Sequence, residues 1–237
     1  MIENKKVRTT SMIGAPRSRK HMPMTIPILY SFRRCPYAMR ARLALLQYEI
    51  SVELREVVLR AKPAAMIAAS AKATVPVLVL PDHQVIDQSL DIMRWASWQR
   101  DGGDWLAPDA WLDPDKAALV ADNDGAFKYH LDRYKYADRY PDDPVDHRAE
   151  ATEYLRRLDV RLGGRLALRG DRLSMVDIAI LPFVRQFAET DRDYFDQLPL
   201  ADLQRWLADF LASALFERAM ARFAPWRPGD RPIVFPT

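Results

Sequence analysis

A single cysteine in 237 residues leaves no internal disulfide, no C-x-x-C redox pair and no multi-cysteine zinc site. Glycine is almost as sparse. The eight glycines never form G-x-G-x-x-G or G-x-x-x-x-G-K, which excludes dinucleotide and P-loop phosphate sites built on those signatures. Long apolar runs are missing as well. Stretches such as Val75–Leu80 fall far short of the ~18 residues a membrane span needs. The four histidines, His21, His83, His130 and His147, have no metal-ligand spacing and none is close in sequence to the cysteine, so no metal is expected. What remains is ordinary for a soluble globular chain of one or two domains: 49% hydrophobic and 28% charged residues.

The formal net charge of +3 is unevenly spread. Residues 1–24 hold six basic residues and one acid, and the remaining chain carries a net charge of −2. The body therefore offers no compositional case for binding nucleic acid. The tail lacks hydrophobic periodicity and reads as disordered. It is open to two readings, a targeting peptide or basic arm, and a plain extension ahead of a start at Met22 or Met24. The second fits better, because the amphipathic pattern of a transit peptide is missing.

Strand and helix signals alternate over residues 25–101. Ile26–Phe32 reads as a buried strand and Tyr37–Tyr48 as a helix, with Pro36 suited to the first helical position. Val52–Leu59 reads as a strand, Pro63–Ala71 as a short helix, Val75–Leu80 and Gln84–Ile86 as strands. Ser89 is expected to cap a helix reaching about Arg100. The prolyl bond Val75-Pro76, just before a strand, suggests a cis turn. After a linker at 102–112 the strand signals largely stop. Helices are expected over Asp113–Arg139, His147–Leu168 (ended by Gly170), Met175–Thr190 and within Leu200–Phe223. Ser174-Met175-Val176-Asp177 has the form of a capping box with Asp in place of Glu, and Pro182 should bend the helix it opens.

Cys35 carries the sharpest chemical signal. A lone cysteine is ordinarily an inert apolar residue. This one lies where a strand hands over to a helix, ahead of Pro36, and helix N-terminal amides favour a thiolate. Arg33, Arg34 and Arg40 are close in sequence and would push the thiol pKa the same way, although for at least two of them a solvated face is the favoured reading. With no second cysteine three positions on, an external thiol must resolve any mixed disulfide formed on Cys35.

Cys35-Pro36-Tyr37-Ala38-Met39-Arg40-Ala41-Arg42-Leu43, Val75-Pro76-Val77-Leu78 and Gln88-Ser89 together resemble the glutathione transferase superfamily, most nearly its bacterial cysteine-type and omega-like members. Leu173–Ala179 resembles the capped core helix of the family's helical half. The resemblance covers about residues 25–225. It implies an α/β thioredoxin-like N-terminal domain, a four-stranded mixed sheet with three helices over 25–101, and an all-α C-terminal domain over 113–237. It implies glutathione as co-substrate, with Val75 ahead of a cis Pro76 pairing with the cysteinyl part in strand fashion. Ser89 would hold the γ-glutamyl carboxylate at a helix N-terminus. Gln88 stands where the family more often has an acid for the γ-glutamyl ammonium, and Lys62 falls where the family's lysine reaches the glycyl carboxylate. Tyr30 and Ser31 occupy the region where relatives place an activating hydroxyl, but Cys35 has the catalytic position. The pocket for the second substrate would lie between the domains, with Tyr37, Asn123, Phe127, His130, Tyr134 and Trp226 as candidates.

The activity implied is glutathione-dependent thiol transfer through a Cys35 thiolate, acting on a mixed disulfide or small electrophile. Conjugation by enzyme-activated glutathione and a non-catalytic binding or regulatory role are the alternatives. A homodimer, a cytoplasmic location and no membrane or nucleic-acid partner complete the expectations.

Overall fold

The computed structural model describes residues 26–99 and 114–236. The basic tail 1–24 and the linker 102–112 lie outside the described residues. The N-terminal elements are β1 (Ile28–Ser31), α1 (Pro36–Gln47), β2 (Val52–Glu56), α2 (Ala64–Ala69), β3 (Val77–Val79), β4 (Val85–Ile86) and α3 (Ser89–Trp98). β1 runs parallel to β2 and antiparallel to β3, and β3 pairs antiparallel with β4. This is the expected thioredoxin-like order, with the alternating apolar strands Leu29, Val52, Leu54 and Leu78 fully buried.

One strand was not anticipated. β5 (Val234–Phe235) returns from the C-terminus to pair antiparallel with β2, giving a five-stranded sheet in the order β4-β3-β1-β2-β5. The C-terminal region is thus helical only as far as Ala219, and its last segment crosses to the other domain. Two residues of strand leave too short an alternation to read from sequence. They cover the β2 edge, which would otherwise present unpaired backbone groups.

The helical half contains α4 (Pro114–Asp122), a π-helical segment (Asn123–Phe127), α5 (Lys128–Lys135), a 3₁₀ turn (Ala137–Arg139), α6 (His147–Leu162), α7 (Met175–Ala188), α8 (Arg192–Gln197), α9 (Ala201–Leu211) and α10 (Ala214–Ala219). The helix expected as one piece over 113–139 is therefore interrupted in its winding by the π segment. α6 stops at Gly163, whose left-handed φ of +46° closes the helix, and not at Gly170 as expected. α8 was missed by sequence; Asp191 caps it by accepting from the Tyr194 amide at 3.0 Å.

α7 is the core of the helical half, and the chain continues helical through Pro182. Its capping box forms as read. Asp177 is fully buried and accepts from the Ser174 amide at 2.7 Å, the Ser174 hydroxyl at 2.6 Å, the Leu168 amide at 2.9 Å and the Trp206 indole at 3.1 Å. One carboxylate thereby ties the start of α7 to α9 and to the loop after α6.

α1 is enclosed by α3, α7, α10 and the sheet, so its polar residues are buried with its apolar ones. Arg40 and Arg42 have no exposure at all. Each buried guanidinium has partners, as burial of a charge requires. Arg42 pairs with Glu56, donates to the Ser31 hydroxyl at 2.9 Å and to the Ala219 carbonyl at 3.1 Å. Arg40 donates to the Ala179 carbonyl at 2.7 Å, to the Ser89 hydroxyl at 3.3 Å and bidentately to Asp124 at 2.5 and 2.8 Å. The two arginines bolt the domains together through α1.

Candidate active site

Cys35 is the N-cap of α1. Its backbone is extended (φ −78°, ψ 124°), its amide donates to the Phe32 carbonyl at 2.9 Å, and its carbonyl accepts from Met39 at 2.9 Å. Pro36 stands at the first helical position, where its missing N–H costs nothing. The Cys35 sulfur lies 3.8 Å from the Val75 carbonyl oxygen, a thiol-to-carbonyl contact that spans from α1 to the loop before β3. The Val75-Pro76 bond is cis, as its sequence suggested. Val75 precedes β3 and stands outside the ladder.

Two cavities meet at this point, and Tyr37 lines both. The first, about 400 Å³, is walled by Thr74, Val75, Pro76, Asp87, Gln88, Ser89, Lys72 and Asp124. It brings together four of the five residues expected around glutathione. The fifth, Lys62, is exposed and lines neither cavity, whereas Lys72 does line this one and donates to the Asp87 carbonyl at 3.1 Å. The helix cap here falls one residue earlier than expected: Gln88 is the N-cap of α3 and Ser89 its first residue. The Ser89 hydroxyl accepts from Arg40 and does not cap. Two acids that sequence reasoning did not assign reach the same groove. Asp124, held by Arg40, keeps 28% of its side chain exposed. Asp87 accepts from the Ser70 hydroxyl at 2.6 Å.

The second cavity, also about 400 Å³, is walled by Phe32, Arg34, Cys35, Pro36 and Leu59 on one side and by Lys128, Asp132, Lys135, Tyr136 and Gln186 on the other. It lies between the two halves of the chain, but of the six pocket candidates only Tyr37 lines it. Asn123 and Phe127 are buried in the core, Phe127 stacked on Tyr154 at 4.5 Å. Tyr134 packs on Phe187 at 5.2 Å. His130 turns to His147, their Nδ1 atoms 2.9 Å apart, beside a separate cavity on the α5–α6 side. Trp226 lies near the β2 edge, 6.2 Å from Tyr30 and under the Arg55 guanidinium at 4.2 Å. The candidates expected on the long helix, Asn123, Phe127, His130 and Tyr134, do not line this cavity. The pocket wall is the neighbouring, charged stripe of Lys128, Asp132 and Lys135, which the apolar period could not distinguish from a solvated face. Gln186 would have been found only from the tertiary structure; its Oε1 is buried with no hydrogen-bond partner among the described residues.

The electrostatics correct a second expectation. Burial raises the Cys35 thiol above its ordinary value of 9.0 and outweighs the opposing pull of the Ala38 and Tyr37 amides and of the Lys128 and Arg40 charges. Of the three arginines near it in sequence, Arg40 acts on the sulfur and Arg34 lines its cavity, while the charge that favours the anion most is Lys128 from α5. Tyr37 is pushed up to about 12, by burial and by the Asp124 carboxylate, so its hydroxyl stays protonated. Tyr30 and Ser31 are spent elsewhere. The Tyr30 hydroxyl accepts from Arg55 at 2.7 Å and Ser31, fully buried, accepts from Arg42.

Residues 29–103 match the family model of the glutathione S-transferase N-terminal domain. The chain carries that domain, and its fold is the glutathione transferase fold. Among solved structures, a glutathione transferase family member from Pseudomonas fluorescens with two glutathione molecules bound is 20% identical, with a TM-score of 0.70 over 85% of this chain and 95% of its own. A glutathione transferase from Pseudomonas putida with one glutathione disulfide bound per subunit is 23% identical, with a TM-score of 0.69 over 86% and 93%. The Omega 3C transferase of Trametes versicolor is 20% identical, with a TM-score of 0.69 over 81% and 83%. No curated protein matches. Among the described residues no helix is long and apolar enough to cross a membrane, and no group of three His, Cys, Asp or Glu side chains could hold a metal ion.

Proposed function

We propose that this glutathione transferase-fold chain catalyses glutathione-dependent thiol transfer, with Cys35 as nucleophile. The observation that carries the proposal is the place of Cys35, at the start of α1, its sulfur against Val75 of the first cavity while the residue itself lines the second. Glutathione lies along the first cavity. Its cysteinyl backbone adds to the free edge at Val75, and its γ-glutamyl carboxylate meets the N-terminus of α3 at Gln88 and Ser89. Asp124 and Asp87 supply negative charge for the ammonium that a neutral Gln88 lacks. For the glycyl carboxylate, Lys72 lines the groove and Lys62 sits at the exposed start of α2.

The Cys35 thiolate attacks the glutathionyl sulfur of a mixed disulfide. The S–S bond breaks, the other thiolate leaves and takes up a proton, and Cys35 holds the glutathionyl group as a disulfide. A second glutathione thiolate attacks that disulfide, releasing glutathione disulfide and the Cys35 thiolate. The raised thiol sets a requirement: the attacking anion forms when the substrate's arrival changes its surroundings, with Lys128 and the α1 amides ready to hold it. The cycle draws on a reduced glutathione pool, as in a cytoplasm, and the family resemblance supports a homodimer as the working unit.

The raised thiol also favours a second reading. A protonated Cys35 could donate to a bound glutathione thiolate and promote conjugation without itself reacting. Substituting Cys35→Ser separates the two. Thiol transfer should fall by at least about a hundredfold, because the nucleophile is gone. A glutathionyl adduct on Cys35 should appear by mass spectrometry when the wild type meets glutathione disulfide. Full retention of disulfide turnover in Cys35→Ser would end the proposal.

A further inference from the structure

A third cavity, about 650 Å³, opens beside the Cys35 cavity and shares Phe32, Arg34 and Leu59 with it. Its walls come from the β1–α1 turn (Phe32, Arg33, Arg34), the end of β2 and the stretch that follows it (Glu56 to Arg60) and the C-terminal crossing (Arg222, Phe223, Pro225). Four arginines and one acid line it, and the acid is already engaged. One Glu56 oxygen pairs with Arg42 and the other accepts the Arg33 amide at 2.8 Å. Arg33, Arg34, Arg60 and Arg222 have no carboxylate partner among the described residues, in a protein where many other arginines do. Burial is the main cause that lowers the pKa of the neighbouring Arg42 and Arg185, and the Arg33 charge adds to it in the same direction. The arginines also come from three separate stretches of chain, one of them the returning C-terminal segment that no local pattern would bring here.

We infer that this cleft binds an anionic substituent, carboxylate or phosphate, on the substrate that reacts at Cys35. Guanidinium groups suit oxyanions because their planar N–H forks match them in pairs. The first cavity takes glutathione. A disulfide partner in the second cavity can extend past Leu59, and whatever it carries there meets four unneutralised positive charges. The inference rests on the thiol-transfer reading and names its substrate class: mixed disulfides of glutathione with thiols that bear two negative charges.

The test compares three glutathione mixed disulfides of similar size, made with mercaptosuccinate, with 2-mercaptoethyl phosphate and with neutral thioglycerol. Wild type should turn over one or both anionic substrates with a kcat/KM about tenfold above the neutral one, and raising salt to about 0.5 M should erase most of the difference. The two anions reveal whether carboxylate or phosphate is preferred. The double variant Arg60→Glu/Arg222→Glu, on exposed loops, should lose the preference and keep its rate on the thioglycerol disulfide. Equal rates on all three substrates in wild type, or an undiminished preference in the double variant, would overturn the inference. A direct readout keeps it separate from the chemistry. S-methylmercaptosuccinate and 2-(methylthio)ethyl phosphate, which cannot react, should bind Cys35→Ser more tightly than Cys35→Ser/Arg60→Glu/Arg222→Glu by calorimetry. Binding there with no disulfide turnover would retain the anion cleft and discard the thiol-transfer reading; absence of binding of both would discard the cleft.

Discussion

At Cys35, two opposing effects meet on one sulfur. The α1 amides and the Lys128 and Arg40 charges favour the anion, and burial disfavours it more strongly. Alkylation by iodoacetamide should therefore rise with pH along a curve whose midpoint lies above the ordinary 9.0. The Lys128→Met variant loses a positive charge near the sulfur, so its midpoint should move higher still. A downward move would show that Lys128 acts through its pairing with Asp132 and not through its own field. Much of this residue's local setting was legible. Strand, cysteine, proline and helix follow one another within a dozen positions, and a helix N-terminus is a local property. The sign of the thiol shift was not legible, because it depends on how much protein surrounds the sulfur.

Among the elements, α7 shows most plainly how a local motif becomes a tertiary one. The Ser174–Asp177 box is a sequence signature, but the same carboxylate also accepts from Leu168 and Trp206. An Asp177→Ala substitution strands four buried donors and should cost about 2–4 kcal/mol. Urea denaturation should show a lower midpoint with an unchanged slope. The helix from Pro114 to Lys135 teaches the opposite lesson. Of its apolar positions, Val120, Phe127 and Leu131 are buried and mark a core face, with the polar Asn123 buried beside them, while Ala117 and Ala121 are exposed. Which of its polar stripes faces Cys35 depends on where α1 and α7 lie, and helical periodicity carries no such information.

In the whole molecule, the two halves are joined by Arg40, by Arg42 and by the C-terminal crossing that ends in β5. Phe235 is 2% exposed, packs edge-on to Phe223 and lies 5.8 Å from the Arg42 guanidinium. Phe235→Ala should cost about 3 kcal/mol and speed hydrogen exchange at the Leu54 amide, which donates to Ile233 at 2.8 Å. Acid sensitivity belongs to this scale as well. Burial, and the neighbouring His147, hold His130 below its ordinary value of 6.5. The unfolded chain then binds that proton more readily than the folded one, so stability falls as pH drops through about 6.5. Thermal melts between pH 7.5 and 5.5 should show this loss, and His130→Gln should flatten it. An equally steep loss in that variant would place the sensitive group elsewhere.

The residues alone determined the order of the elements from β1 to α3, the strand-to-helix joint at Cys35, the prolyl turn at Val75-Pro76 and the capped start of α7. Each is set by forces acting within a few residues: backbone sterics, missing N–H groups and end amides. Tertiary structure decided the rest: that Lys128 is the charge favouring the thiolate most, that the thiol is raised, that β5 joins the sheet, and that four arginines from three stretches line one cleft. Those features come from groups far apart in the chain, and their fields and burial exist only once packing has brought them together.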